Sequence, residues 1–176
     1  LMDNADIRRG RPTVHKKWNE NTAILSGDTM LIMSIRFLLS TDCVRKDEIL
    51  ELVVRTMNEV CEGQQYDVNF ENRDDVSEVE YIEMIRLKTS VLLACSLKAG
   101  ALAANASDED CQILYEFAEH IGLAFQLQDD FLDVYGDPVV FGKNIGGDIL
   151  CGKKTYLLIT ALAQASEQEK KLLLSY

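Results

Sequence analysis

Proline is almost missing from this sequence. Pro12 and Pro138 are the only two among 176 residues, and both stand at ends of segments, which leaves long windows free to be helical. No strand pattern competes with helix: Val139–Phe141 is too short, and Val91–Leu97 lies within a helix-length window. No internal repeat or low-complexity segment is present. The five cysteines, Cys43, Cys61, Cys95, Cys111 and Cys151, are odd in number, widely spaced and without a CxxC pair. They indicate neither a disulfide framework nor a zinc site, and they point to a reducing, cytoplasmic compartment. No leader pattern is seen, and Arg36 and Lys98 interrupt the apolar runs, so no membrane span is expected. Basic residues are outnumbered, 18 against 29 acids for a net charge of −11, which argues against a nucleic-acid surface.

What remains is enough for one domain with a real core, since 47% of the residues are apolar. The stretch that organises it is Phe125–Asp137, FQLQDDFLDVYGD. On a helix turning about 100° per residue, Gln126, Asp129, Asp130, Asp133 and Asp137 share one stripe, while Leu127, Phe131, Leu132 and Tyr135 point elsewhere. Clustered carboxylates raise the cost of ionising one another, so a cation is expected between them. Oxygen-only ligands on a helix suit a hard ion, Mg²⁺ above all, with water or substrate phosphate completing its shell.

The other segments read as helices. Asp3, Asp6, Arg8 and Arg9 spread acids and bases over a segment stopped by Gly10 and Pro12, and from spacing alone this is a solvated helix end. Between Trp18 and Ser40, Ala23, Ile24, Met30, Leu31, Ile35, Leu38 and Leu39 recur at helical spacing and are expected to be core, with Gly27-Asp28 interrupting. Thr41 or Asp42 then caps a helix ending at Gly63, followed by a polar loop in which Gln64 and Asp67 read as structural. Ser77 and Glu80 form a capping-box signature for a long helix to about Ala104. Lys88 and Thr89 lie in its middle, and if the Lys88 head points inward it needs an anion. Ser107 and Asp108 begin the helix that carries the acidic stripe, with Cys111, Leu114, Ala118, Ile121 and Phe125 as its core side. Beyond it, a glycine-rich loop holds Lys143, Asp148, Lys153 and Lys154, suited to closing over a phosphate. A final apolar helix spans Leu157–Ala165.

Taken together these motifs resemble the trans-isoprenyl diphosphate synthases of the polyprenyl synthetase family. DDFLD at Asp129–Asp133 looks like the family's second Asp-rich motif, and LMDNADIRRGRPTVH looks like the tail of the first, with Asp3 as its last acid. Gly63-Gln64 with Asp67, Lys88-Thr89, and the GK, GD and GK steps at Gly142-Lys143, Gly147-Asp148 and Gly152-Lys153 follow in the family's order. The resemblance implies an all-α fold, an antiparallel helical bundle of the isoprenoid synthase type. It also implies a Mg²⁺-dependent reaction in which an allylic diphosphate loses pyrophosphate and the resulting cation is attacked by isopentenyl diphosphate, giving a trans product. By carry-over, Asp3, Asp129, Asp130 and Asp133 hold Mg²⁺. Arg8, Lys88, Lys143 and Lys153 grip the allylic diphosphate, and Arg9 contacts isopentenyl diphosphate. Thr89 and Gln126 line the reacting carbons, and Phe125 lines the homoallylic end. Homodimers are implied in the same way. For His15, Asp28 and Gln64 a structural role is expected, while Tyr81 fits a structural and a functional role equally.

Cys151 departs from the acid or polar residue usual before the second GK, which weakens Lys153 against Lys154. A class I terpene cyclase would share the DDxxD helix but lack RRGxPT and the GK loop, and a non-catalytic prenyltransferase-like subunit would be expected to lose motif acids that are intact here. The expected unit is one partial domain over residues 1–176, with the initial Asp pair, upstream basic residues and C-terminal helices outside it. Residues 1–176 alone are therefore expected to be inactive or poorly active, and normal Mg²⁺-dependent condensation by this chain would refute that.

Overall fold

Local hydrogen bonds set the start of nearly every long helix. The computed structural model describes residues 1–2, 5–137 and 146–173. A short hairpin comes first: β1 (Ile7–Arg8) pairs antiparallel with β2 (Arg11–Pro12). Its two turn residues, Arg9 and Gly10, both have positive φ, 51° and 72°, the backbone that two-residue hairpin turns require. A hairpin thus replaces the helix end expected here. After a single turn, α1 (Val14–Lys17), the Asn19 side chain accepts the Thr22 N–H at 2.8 Å and opens α2 (Glu20–Ser40).

Helix α2 runs unbroken through Gly27 and Asp28, because one glycine costs only about 1 kcal/mol in an otherwise helix-compatible window. It corrects a second expectation more deeply. None of its residues is buried, and Ile24 is 50% and Met30 71% exposed. The apolar spacing is present, but within this chain α2 packs mainly on α1 and α3 and leaves the rest of its apolar surface outward. By length and composition α2 is also apolar enough to cross a membrane, since Asp28 and Arg36 do not interrupt it as expected.

The next helix, α3 (Lys46–Phe70), is neither capped by Thr41 or Asp42 nor ended by Gly63. Arg45 occupies its N-cap position, and Thr41 closes α2 by donating to the Phe37 carbonyl at 3.0 Å. The capping box of Ser77 and Glu80 is present and opens α4 (Glu78–Ile85), which continues through a π-helical turn (Arg86–Ser90) into α5 (Val91–Ala103). Ser107 accepts the Asp110 N–H at 3.1 Å and opens α6 (Asp108–Tyr135). A single turn α7 (Gly147–Leu150) leads to α8 (Tyr156–Gln164) and α9 (Glu167–Leu173). Short connections between long helices give an antiparallel, all-α bundle. The VVF run at 139–141 lies outside the described residues.

Two apolar clusters flank the π-turn. Ile49, Leu52, Cys95, Ala101, Leu102 and Cys111 join α3, α5 and α6, while Phe70, Val76, Tyr81, Met84, Ile85 and Ile159 join the end of α3, α4 and α8. On α6 the buried line is Cys111, Ala118, Gly122, Asp130 and Asp133. Of the expected core side, Leu114, Ile121 and Phe125 are instead 36%, 50% and 57% exposed, because the face of α6 turned to the bundle runs through Cys111, Ala118 and Gly122, and Gly122 seats against the π-turn. All five cysteines are free.

The π-turn is gripped where two helices carry no side chain. A Cβ at Gly63 would stand 2.3 Å from the Lys88 backbone nitrogen, and one at Gly122 would stand 2.6 Å from Ser90 Cα. Both contacts are with backbone, so neither neighbour can swing away. Gly63→Ala and Gly122→Ala are each expected to destabilise the fold by about 1–3 kcal/mol through overpacking, while Gly100→Ala, which meets nothing within 4 Å, is expected to be neutral or stabilising. Urea midpoints of the three variants test the contrast.

Candidate active site

The π-turn presents Lys88 and Thr89 towards α3 and α6. π-turns inside α-helices recur where side chains must be re-aimed. Lys88 Nζ reaches Asp67 Oδ2 at 2.6 Å, with the aspartate side chain only 11% exposed. This is the anion that an inward lysine requires. Thr89 Oγ1 donates to Gln126 Oε1 at 3.2 Å, and Gln126 Nε2 donates to Asp130 Oδ1 at 3.3 Å.

Three acids of the expected stripe face inward, while the fourth, Asp137, lies beyond the end of α6 and is exposed. Asp130 and Asp133 are 3% and 6% exposed and Asp129 is half-buried, while Phe131 and Tyr135 point outward. Asp130 Oδ2 accepts the Tyr81 hydroxyl and also the Tyr156 N–H, the latter at 3.0 Å. Burial and the adjoining Asp130 carboxylate push the Tyr81 phenol up, so it is protonated and donates. Asp133 Oδ2 accepts the Asp148 N–H at 3.2 Å, and the Asp133 carbonyl accepts the Gly146 N–H at 2.6 Å, so α7 is strapped to the end of α6. Burial raises the Asp148 carboxyl, opposed by Lys153 and reinforced by Asp133, Asp130 and Asp129.

The two adjacent lysines separate. Lys153 Nζ lies 3.7 Å from Asp148 Oδ1, on the side of the acidic face, whereas Lys154 Nζ turns to Asp74 Oδ1 at 3.1 Å. Of the remaining expected site residues, Arg8 and Arg9 stand exposed on the hairpin, and among the described residues no hydrogen bond or ion pair joins them to α6. Phe125 is 57% exposed, away from the Gln126–Asp130 contact. Asp3 and Lys143 lie outside the described residues.

Sequence reasoning missed the role of Asp67. Its signal was available, because a helix continuing through Gly63 places Asp67 one turn further on the same face. The Tyr156 N–H carries no side-chain signature and could not be found from sequence.

Among the described residues, no three His, Cys, Asp or Glu side chains converge into a complete metal cage. The donor set nonetheless fits Mg²⁺, which is bound through one or two carboxylates and otherwise keeps water or phosphate oxygens. An inward carboxylate face with Lys88 and Lys153 on its flanks can hold a metal-bound polyanion.

Known proteins match this arrangement over the entire chain. The polyprenyl synthetase family profile covers residues 1–176. A short chain isoprenyl diphosphate synthase of Methanothermobacter thermautotrophicus is 42% identical over 99% of this chain and 54% of its own length. A geranylgeranyl diphosphate synthase of Saccharolobus solfataricus is 41% identical, again over 99% and 54%. The crystal structure of geranylgeranyl pyrophosphate synthetase from Pyrococcus horikoshii superposes with a TM-score of 0.93 at 37% identity, over 99% of this chain and 54% of that one. The chain thus spans about half the length of the relatives it matches. With its acidic α6 face, its Lys88-Thr89 turn and a family match from end to end, this chain belongs to the polyprenyl synthetase family.

Proposed function

We propose that this chain forms one wall of a Mg²⁺-dependent prenyltransferase that condenses an allylic diphosphate with isopentenyl diphosphate, head to tail, into a trans-polyprenyl diphosphate. The observation that carries the proposal is the meeting of the α6 carboxylate face with Lys88 and Thr89 across the π-turn. The names of the relatives, short chain isoprenyl and geranylgeranyl diphosphate synthases, support the same chemistry. Residues 1–176 act in it as part of a single domain.

The α6 acids, with Asp3, hold the metal. When bound, Mg²⁺ would supply the positive charge that a diphosphate leaving group needs. Lys88 and Lys153, joined by Lys143 and Arg8, grip the allylic diphosphate, and Arg9 contacts isopentenyl diphosphate. Asp67 holds the Lys88 side chain in place before substrate arrives, so its field costs no reorganisation at the moment of bond cleavage. The oxygens of Thr89 and Gln126 face the carbons on which positive charge develops, and Phe125 serves the homoallylic end. No nucleophilic side chain is needed. The free cysteines fit a cytoplasmic protein.

The outward apolar surface of α2 supports a homodimer. Met30, Ile32 and Phe37 are 71%, 67% and 65% exposed, and a second copy would bury a self-complementary stripe of this kind about a two-fold axis.

Measured on the whole protein, transfer of labelled isopentenyl diphosphate to an allylic diphosphate is expected to require Mg²⁺ and to cease with EDTA. Lys88→Ala should lower kcat/KM by about 10²–10³-fold, the scale of losing one preorganised charge at a developing anion. A whole protein that incorporates no label in Mg²⁺ overturns the assignment. In sedimentation equilibrium the chain should run at twice its 19.8 kDa mass, and Ile32→Glu with Phe37→Glu should return it to the monomer. A wild-type monomer at tens of micromolar, on the order of ordinary assay concentrations, removes the dimer.

A further inference from the structure

Lys153 and Lys154 are adjacent in sequence and part company in space. They stand in the short connection between α7 and α8, where residues 153–155 form no helix and Thr155 is extended, φ −79° and ψ 162°. Successive side chains on extended backbone leave on opposite sides, so fixing one lysine aims the other. Lys154 is the one fixed to the bundle. Its side chain is only 12% exposed, and its Nζ lies 3.1 Å from Asp74 Oδ1 in the loop between α3 and α4. That loop is braced, because Arg73 bridges Asp75 and Glu80, each at 2.8 Å, and lies over the Phe70 ring. The Tyr156 hydroxyl donates to Glu78 Oε1 at 3.2 Å, a second tie from the start of α8 to the start of α4. Lys153 is thereby turned the other way. Its Nζ is 3.7 Å from Asp148 Oδ1, and the Asp148 N–H is bonded to Asp133 on α6.

An ion pair whose carboxylate is 66% exposed adds little to stability. Its consequence is directional. We propose that Lys154 is a positioning residue that contacts no substrate: paired with Asp74, it pins the connection between α7 and α8 to the loop between α3 and α4 and so turns Lys153 towards the acidic face of α6. The effect on the reaction rests on the grip of Lys153 on the allylic diphosphate proposed above, while the direction of Lys153 stands on geometry alone. Asp74 acts through Lys154 and is a positioning residue in the same sense.

In the whole protein, Lys154→Gln removes the pair, Lys154→Arg keeps it, and Lys153→Ala removes the group that the pair places. Lys154→Gln is expected to lower kcat/KM for the allylic diphosphate about tenfold, within the range for displacing a group that binds substrate, and Lys154→Arg to recover most of that loss. Added to Lys153→Ala, Lys154→Gln is expected to cost less than about twofold more, because a residue that acts through another has nothing left to place. A second readout needs no reaction. Acylation of Lys153 in the 176-residue chain by an N-hydroxysuccinimide ester, followed by mass spectrometry, should rise about threefold in Lys154→Gln and in Asp74→Asn, the scale of releasing one surface ion pair. Asp74→Asn keeps both lysines and serves if Lys154→Gln does not fold. Full activity in Lys154→Gln where Lys153→Ala is impaired overturns the inference, as does a Lys154→Gln loss of the same factor with and without Lys153. Lys153 acylation unmoved in both variants overturns it too. If Lys153→Ala is fully active, the diphosphate role of Lys153 fails by itself, and its acylation still decides whether Lys154 places it.

Discussion

The absence of two side chains sets the geometry of the site. Gly63 on α3 and Gly122 on α6 meet the π-turn at distances no Cβ could occupy, so both helices close on it from opposite sides. One turn beyond each glycine, at i+4, stands the polar partner of the turn: Asp67 for Lys88 and Gln126 for Thr89. The close approach and the hydrogen bond are therefore consecutive teeth of the same helix face. A further turn along α6 brings Asp130, and with it the ties to α4 and α8.

This arrangement makes α6 a helix whose last turns are inside out. Carboxylates point into the bundle and the rings of Phe131 and Tyr135 point outward, 51% and 69% exposed. Burying Asp130 and Asp133 is tolerable because each accepts fixed donors, among them the backbone N–H groups of Tyr156 and Asp148, so desolvation is offset by hydrogen bonds that are already in place. The same donors bind α7 and α8 to α6. Charge and fold are thus coupled: the residues suited to a cation also hold the C-terminal segments on the bundle.

Much of this was legible in the residues. The stripe from Gln126 to Asp133 was readable because helical periodicity is a local property, and the Ser77 and Ser107 starts were readable because caps are local as well. Lys88 was readable as an inward charge in need of an anion. The failures share one cause. Gly63 reads as a helix end, yet its lack of a side chain serves a contact 25 residues away in sequence, at Lys88. The spacing of α2 reads as core, although periodicity shows that a face is apolar and not what covers it. Helical spacing puts Phe125 on the core side of α6, yet it stands 57% exposed, since spacing alone does not say which face another helix covers. The Arg9-Gly10 turn needed a positive φ at an arginine, which spacing does not reveal.

The π-turn also has a consequence for the register of the helix that contains it. One extra residue in a helical turn rotates everything beyond it by about 100° relative to a straight α-helix. Tyr81, Met84 and Ile85 before the turn serve the cluster with α8, and Cys95, Ala101 and Leu102 after it serve the cluster with α3 and α6. The two halves are thus set at different azimuths, each in phase with its own core. Straightening Arg86–Ser90 into regular α-helix with every residue kept would turn the second half by about 100°, so that only one core could be in register, whereas deleting one residue of the turn would restore the phase and change only how Lys88 and Thr89 are aimed. The phase of this helix, more than any one of its side chains, decides that the tyrosine meeting Asp130 and the lysine meeting Asp67 open on the same cleft.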